Sequence, residues 1–193
     1  MDQTDGLLLH AEAITLPVRW FTPSANLERS TGPMTDKTYQ IRAFEPGDGD
    51  ALAAIYQGAV DQIARADYSE IQRSAWLSIA PTGDVMETAY GDGRLALVAV
   101  DHEARVIGFS DLEEDGHIQF LYVDPGAAGR GVGSSLIRAL EGAARQRGLG
   151  HLYSEASETA LPVFLKQGFE RLHRRDLKIG DVDIHNYSVE KRL

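Results

Sequence analysis

The amino-acid sequence predicts an α/β domain with a mixed, mostly antiparallel sheet and flanking helices. Three observations carry this. Alternating segments at residues 94–100, 105–112 and 117–123 follow one another across short turns at 101–104 and 113–116, as in an antiparallel meander. A glycine-rich turn comes next and opens an amphipathic helix that runs to Arg147 and stops at Gly148. The chain closes with strands at 169–178 and 182–191, a hairpin around Gly180.

The remaining elements follow in order. With 193 residues, the chain has room for one compact domain at 37–193 and an irregular extension at 1–36. In the extension Pro17, Pro23, Gly32 and Pro33 break any period, and Trp20 and Phe21 suit it to docking. Met34 opens a segment that looks like a native start. Residues 38–44 alternate as a strand. Asp48 or Asp50 caps a helix whose stripe is Leu52, Ile55, Ala59 and Ile63. Ser69 and Gln72 make a capping-box pair for a second helix. Pro81, Gly83, Gly91 and Gly93 mark a loop. After the meander and its helix, residues 150–155 form a strand and 158–167 a short helix. Pro162 lies in the first turn of that helix and Gly168 ends it.

Composition narrows the function. A net charge of −10 repels a phosphate backbone, so nucleic acid is not an expected partner. The absence of cysteine removes disulfides, thiolate nucleophiles and Cys-based metal sites, and fits a cytoplasmic chain. No apolar run approaches the ~20 residues of a membrane helix, and no His/Asp/Glu spacing resembles a metal site. The last hairpin or the N-terminal arm would serve a homodimer.

The chemistry-bearing stretch is Val123-Asp-Pro-Gly-Ala-Ala-Gly-Arg-Gly-Val-Gly-Ser-Ser-Leu136. Leu136, Ile137, Leu140, Ala143 and Ala144 form the helix's apolar stripe, and Arg138, Glu141 and Arg145 its charged face. Gly129, Gly131 and Gly133 precede or open the helix, where free N–H groups and the positive dipole end make an anion cradle suited to phosphate. A P-loop would need lysine where Val132 stands, and the dinucleotide fingerprint from Gly131 would need glycine where Leu136 stands.

These residues resemble the GNAT superfamily of N-acetyltransferases, over Tyr39 to Leu193. Ala128-Gly-Arg-Gly131-Val-Gly133 is similar to the family's [Gln/Arg]-x-x-Gly-x-[Gly/Ala], with Ala128 replacing the polar residue. Ser157-x-x-Ala160-x-x-x-Phe164-x-x-x-Gly168-Phe169 resembles Asn-x-x-Ala-x-x-x-Tyr-x-x-x-Gly-Phe. Asp67 to Trp76 looks like a subgroup of small bacterial members with undefined substrates. The resemblance implies acetyl-CoA as acyl donor and central parallel strands, 117–123 and 150–155, that splay apart. The pantetheine arm would then pair with Leu121, Tyr122 and Val123. The pyrophosphate would sit on Gly129, Arg130, Gly131, Val132, Gly133 and Ser134. Ser157, Ala160 and Phe164 would face the cofactor's far side, and Tyr68, Gln72 and Trp76 would line the acceptor pocket.

Acyl transfer to a primary amine of a small molecule or peptide needs a base, an oxyanion donor and a protonated leaving thiol. His117 is at the position where the resemblance implies a catalytic Glu or His, and an unperturbed imidazole with pKa ~6.5 suits the task. Gln119, two residues on, would orient the amine or a water. Glu155 is the second base candidate. A backbone N–H near Leu121 or Tyr122 would hold the oxyanion. Phe164 has no proton to give, so water or Tyr122 would supply the acid. The expected reaction is direct attack in a ternary complex. The rival is a non-catalytic acyl-CoA sensor, favoured by the missing functions at Ala128 and Phe164. Arg171, His173 and Arg175 alternate on one strand face.

Overall fold

The structure is a computed structural model that describes residues 39–91 and 94–193. The expected extension at 1–36, with Trp20, Phe21 and Met34, lies outside the described residues, as do Thr38 and Gly93. Among the described residues, seven strands and five α-helices follow in chain order. They are β1 (Tyr39–Ala43), α1 (Gly49–Gly58), α2 (Glu70–Leu77), α3 (Gly83–Tyr90), β2 (Leu95–Asp101), β3 (Val106–Leu112), β4 (Leu121–Val123), α4 (Val132–Gln146), β5 (His151–Ala156), α5 (Leu161–Lys166), β6 (Glu170–Ile179) and β7 (Val182–Arg192).

The strands form two antiparallel sheets, β1-β2-β3-β4 and β5-β7-β6. They meet at one parallel bridge between His117 and Tyr153. There Ile118 N–H donates to Tyr153 O at 2.9 Å and Tyr153 N–H donates to Gly116 O at 3.1 Å. Beyond the bridge β4 and β5 belong to separate sheets, so the mixed α/β architecture with central strands that part company is present.

Helices cover the first sheet on both sides. Leu52, Tyr56 and Met86 from α1 and α3 pack with Val98 and Phe109. Val132 and Leu136 of α4 pack with Tyr39, Ala99 and Ile107. Gly108 permits this approach, since a Cβ there would stand 2.9 Å from a Val132 methyl. Ile137 and Leu140 continue into a third cluster with Ile118, Leu152 and Phe164. Each such fully buried side chain contributes about 1.5–3 kcal/mol.

Several expectations are corrected. Asp48 flanks α1 but does not cap it, because its carboxylate accepts from Arg42 at 2.7 and 2.8 Å and from Glu45 N–H at 2.9 Å. Glu87 Oε1 takes the Gly47 and Gly49 N–H groups instead, both at 2.8 Å. The loop expected around Pro81 and Gly83 contains α3, capped by Thr82 and anchored by buried Met86 and Tyr90. The strand expected at 117–123 is regular only over Leu121–Val123. The expected helix at 158–167 begins only at Leu161, with Pro162 in its first turn and Gly168 left-handed at φ +83°. On the charged face of α4 the expected Glu141–Arg145 pair forms at 2.6 Å, and Lys191, also at 2.6 Å, closes over the buried Glu141 from the other side. A bulge between Arg171 and His173 puts Arg171 on the opposite face of β6 from His173 and Arg175. The Ser69–Gln72 capping box forms as expected.

Candidate active site

The site begins at the free edge of β4. Asp124 N–H donates to Ile107 O at 3.0 Å, and Phe109 is paired with Tyr122. Antiparallel alternation therefore turns the backbone groups of Tyr122 toward β3 and those of Leu121 and Val123 the other way, toward β5. β4 and β5 do not pair at this level, which leaves a wedge with exposed peptide groups on one wall.

The wedge leads to the glycine turn. Asp124 accepts the Gly126 N–H at 2.8 Å and shapes a 3-10 turn at Pro125–Ala127. Gly129 and Gly131 have φ of +76° and +80°, which glycine adopts without strain. Ser135 N–H makes the first intrahelical bond, to Gly131 O at 3.0 Å. The N–H groups of Val132, Gly133 and Ser134 precede it, at the positive end of a 15-residue helix.

A cavity of about 380 Å³ fills this region. Leu121, Tyr122, Val123, Gly129, Gly131, Val132, Gly133, Ser134, Ser157, Ala160 and Trp76 line it together. Arg130 does not, and Phe164 is 1% exposed, edge-on to Phe169 in the core. Phe164 therefore does not face the cavity. The sequence reading missed Val60, Ala64, Thr159, Val163 and Lys166 in the lining, and it placed Ala59 and Ile63 only on a core stripe. A π-helical turn at Ala59–Ile63 and a 3-10 turn at Ala64–Ala66 extend α1 and carry four of these residues. That widening leaves no periodic trace, so only Lys166, a cation inside the motif that runs from Ser157 to Phe169, was detectable in the sequence.

One wall is aromatic. Tyr122 stacks on Phe109 with centroids 5.6 Å apart and packs against Tyr56 at 4.6 Å. Burial pushes the Tyr56 phenol up to about 12, with the neighbouring Tyr122 and Trp76 opposing. Burial likewise raises Tyr122 well above the ordinary phenol value, so it stays protonated at any working pH. Tyr68 is buried behind Trp76, donating to His185 O and accepting from Glu158 N–H, both at 2.9 Å. Gln72 uses its side chain on the cap and on Asp183 O, at 3.0 and 2.9 Å. Neither lines the cavity.

The remaining catalytic candidates form a separate polar cluster at the β4–β5 junction. His117 Nδ1 lies 3.1 Å from Glu113 and Nε2 lies 2.8 Å from Glu155. Burial opposes the imidazolium, but the hydrogen bonds and charges of the two carboxylates prevail and raise its pKa to about 10. The expectation of an imidazole poised near 6.5 is thus corrected. Glu155 is held below the usual carboxylate range by its bond to His117, with burial opposing, and Arg175 sits 3.3 Å from it. Gln119 Oε1 accepts from Arg94 at 2.8 Å. None of the three lines the cavity. Among the described residues no helix is long and apolar enough to cross a membrane.

Comparisons with known proteins agree with this geometry. A family model described as an acetyltransferase (GNAT) domain matches residues 64–190. The chain is 33% identical over 136 residues to the uncharacterized N-acetyltransferase YafP of Escherichia coli K12, covering 70% of this chain and 84% of that protein. A GCN5-related N-acetyltransferase from Rhodopseudomonas palustris is 35% identical, with 84% of this chain and 100% of that one covered, at a TM-score of 0.75. The acetyltransferase yncA from Salmonella typhimurium, solved with its cofactor acetyl-CoA, has a TM-score of 0.64 at 18% identity, covering 80% of this chain and 94% of its own. A wedge between parting strands, closed by a glycine cradle, is where these observations converge: the chain belongs to the GNAT family and is an N-acetyltransferase.

Proposed function

We propose that the protein transfers an acetyl group from acetyl-CoA to a primary amine of a small molecule or peptide, by direct attack in a ternary complex. One observation carries this reading: a single cavity joins an unpaired strand edge to a helix N-terminus. A pantetheine amide would bond to the Leu121 and Val123 peptide groups. The pyrophosphate would meet the N–H groups of Gly129 to Ser134, with Lys166 adding charge at the rim. The fold neighbour solved with acetyl-CoA supports the donor's identity.

In the reaction the neutral amine attacks the thioester carbon. The Leu121 N–H stabilises the developing oxyanion, the C–S bond breaks, and the thiolate takes a proton. Water in the wedge gives that proton, since burial raises Tyr122 well above the thiol and keeps its own proton in place. His117, already an imidazolium at neutral pH and outside the cavity lining, does not take the amine's proton, which passes after attack to water in the wedge.

The sensor reading is favoured by one observation, the burial of Phe164 where the family carries a tyrosine acid. Two measurements separate the readings. Thermal stability with saturating acetyl-CoA, coenzyme A, ATP and NAD tests the cradle. A ligand at 100 times its Kd adds ~2.7 kcal/mol, or roughly 5–10 °C at this size. A rise confined to the coenzyme A species, with thiol release across an amine panel, supports the enzyme. A rise without thiol release for any amine supports the sensor, and a rise with ATP or NAD alone refutes both.

A further inference from the structure

Among the described residues, seven polar or charged side chains are buried, and three of them are spent on one tripeptide, residues 118–120. Asp111 Oδ1 accepts from Gln119 N–H at 3.1 Å and from Phe120 N–H at 2.8 Å. Ser110 Oγ donates to Phe120 O at 2.6 Å, and Ser154 Oγ donates to Ile118 O at 2.7 Å. Side chains here replace the backbone ladder on both sides of the strand.

The replacement changes the phase of the strand. Ile118 N–H points at β5, where it meets Tyr153 O. In uninterrupted alternation Phe120 and Tyr122 would point there too, and Leu121 would face β3. Instead two successive N–H groups, of Gln119 and Phe120, turn to the same carboxylate oxygen. After them Tyr122 pairs with Phe109, and the Leu121 and Val123 backbone faces the wedge. The aromatic side chain of Tyr122 is carried to the α1 side by the same step.

We propose that Asp111 is a positioning residue for the acyl donor, fixing the phase change in β4 that presents the Leu121 and Val123 backbone to the wedge. This rests on the reading that acetyl-CoA occupies the wedge. The cost is visible at the other oxygen. Asp111 is fully buried, Oδ2 has no hydrogen-bond partner, and Arg94 stands 3.7 Å away. Burial pushes the carboxyl up to about 6, against the Phe120 N–H and Arg94. A buried carboxylate kept at such cost in a core strand needs a return that apolar packing would not give.

The test compares two ligands in calorimetric titrations of the full chain. Acetyl-CoA carries the pantetheine arm, and adenosine 3′,5′-bisphosphate carries only the nucleotide end. In Asp111→Val, acetyl-CoA affinity is expected to fall at least tenfold, while bisphosphate affinity changes less than twofold. Asp111→Asn keeps one acceptor oxygen toward both amides and is expected to stay within about threefold of wild type for both ligands. If Asp111→Val does not fold, Asp111→Ser, whose hydroxyl is too short to reach both amides, takes its place with the same expectations. Equal losses for both ligands, an unchanged acetyl-CoA affinity, or no rescue by asparagine would overturn the proposal. Failure of the wild-type chain to bind acetyl-CoA would instead remove the underlying reading, and the proposal with it, before any variant is made.

Discussion

Replacing His117 with glutamine tests the charge state of the β4–β5 junction. In the folded chain His117 holds its proton to about pH 10, against ~6.5 for a free imidazole. The gap of roughly 3.5 units at 1.36 kcal/mol each sets an upper bound of about 5 kcal/mol. The side chain is 18% exposed, so screening reduces this to about 2–3 kcal/mol. Because the folded pKa is raised, the contribution is complete below pH 6.5, declines as the pH climbs, and is gone above pH 10. Urea unfolding of wild type and His117→Gln at half-unit intervals from pH 6 to 10 should show curves that converge toward pH 10. An NMR titration of the ring should show no midpoint below pH 9. A midpoint near 6.5, or parallel stability curves, would refute the carboxylate clamp and return His117 to the role of a neutral base.

Two further outcomes concern glycines. A Cβ at Gly133 would meet Val163 and Val123 methyls at 3.5 and 3.6 Å, ordinary contact distances on opposite walls of the cavity. Gly133→Ala should therefore fold and bind acetyl-CoA within about tenfold of wild type, whereas Gly133→Leu should fold and lose binding, read by the ligand-induced thermal shift. At Gly116, φ is +97° and a Cβ would collide with the His151 carbonyl oxygen. Gly116→Ala should cost about 3 kcal/mol or more in urea unfolding, since it combines left-handed strain with loss of the bridge between the sheets.

The meander, the glycine turn, α4 and the closing hairpin were legible because each carries its own local pattern. What escaped was tertiary in origin. Gly83 reads as punctuation, yet it serves close contact between α3 and α1, as Gly49 does from the other side: a Cβ on either would strike the other helix's atoms. That is why α3 was read as loop. The irregular stretch before β4 escaped because an alternating sequence does not reveal that Asp111 will outcompete the backbone for two amides. His117 was found by position, but its proton affinity depends on Glu113 and Glu155, which the fold brings to either side of the ring. Of the cavity, the walls with motifs were legible and the wall built from Ala59, Val60, Ile63 and Ala64 was not, since small apolar residues on a helix look the same in a core and in a binding site.

Among the described residues, the two sheets join at the parallel bridge of His117 and Tyr153 and then separate. The two sheets behave like a zipper that starts and then jams, leaving a bare strand edge inside the molecule rather than at its rim. Such edges invite other strands. With the proposed donor bound, its extended amide-bearing arm would lie along that edge as a surrogate strand and complete a continuous β surface across the domain. On this view the acyl donor is part of the sheet's architecture for as long as it stays, and the slowest-exchanging amides of the loaded protein should include those of Leu121 and Val123.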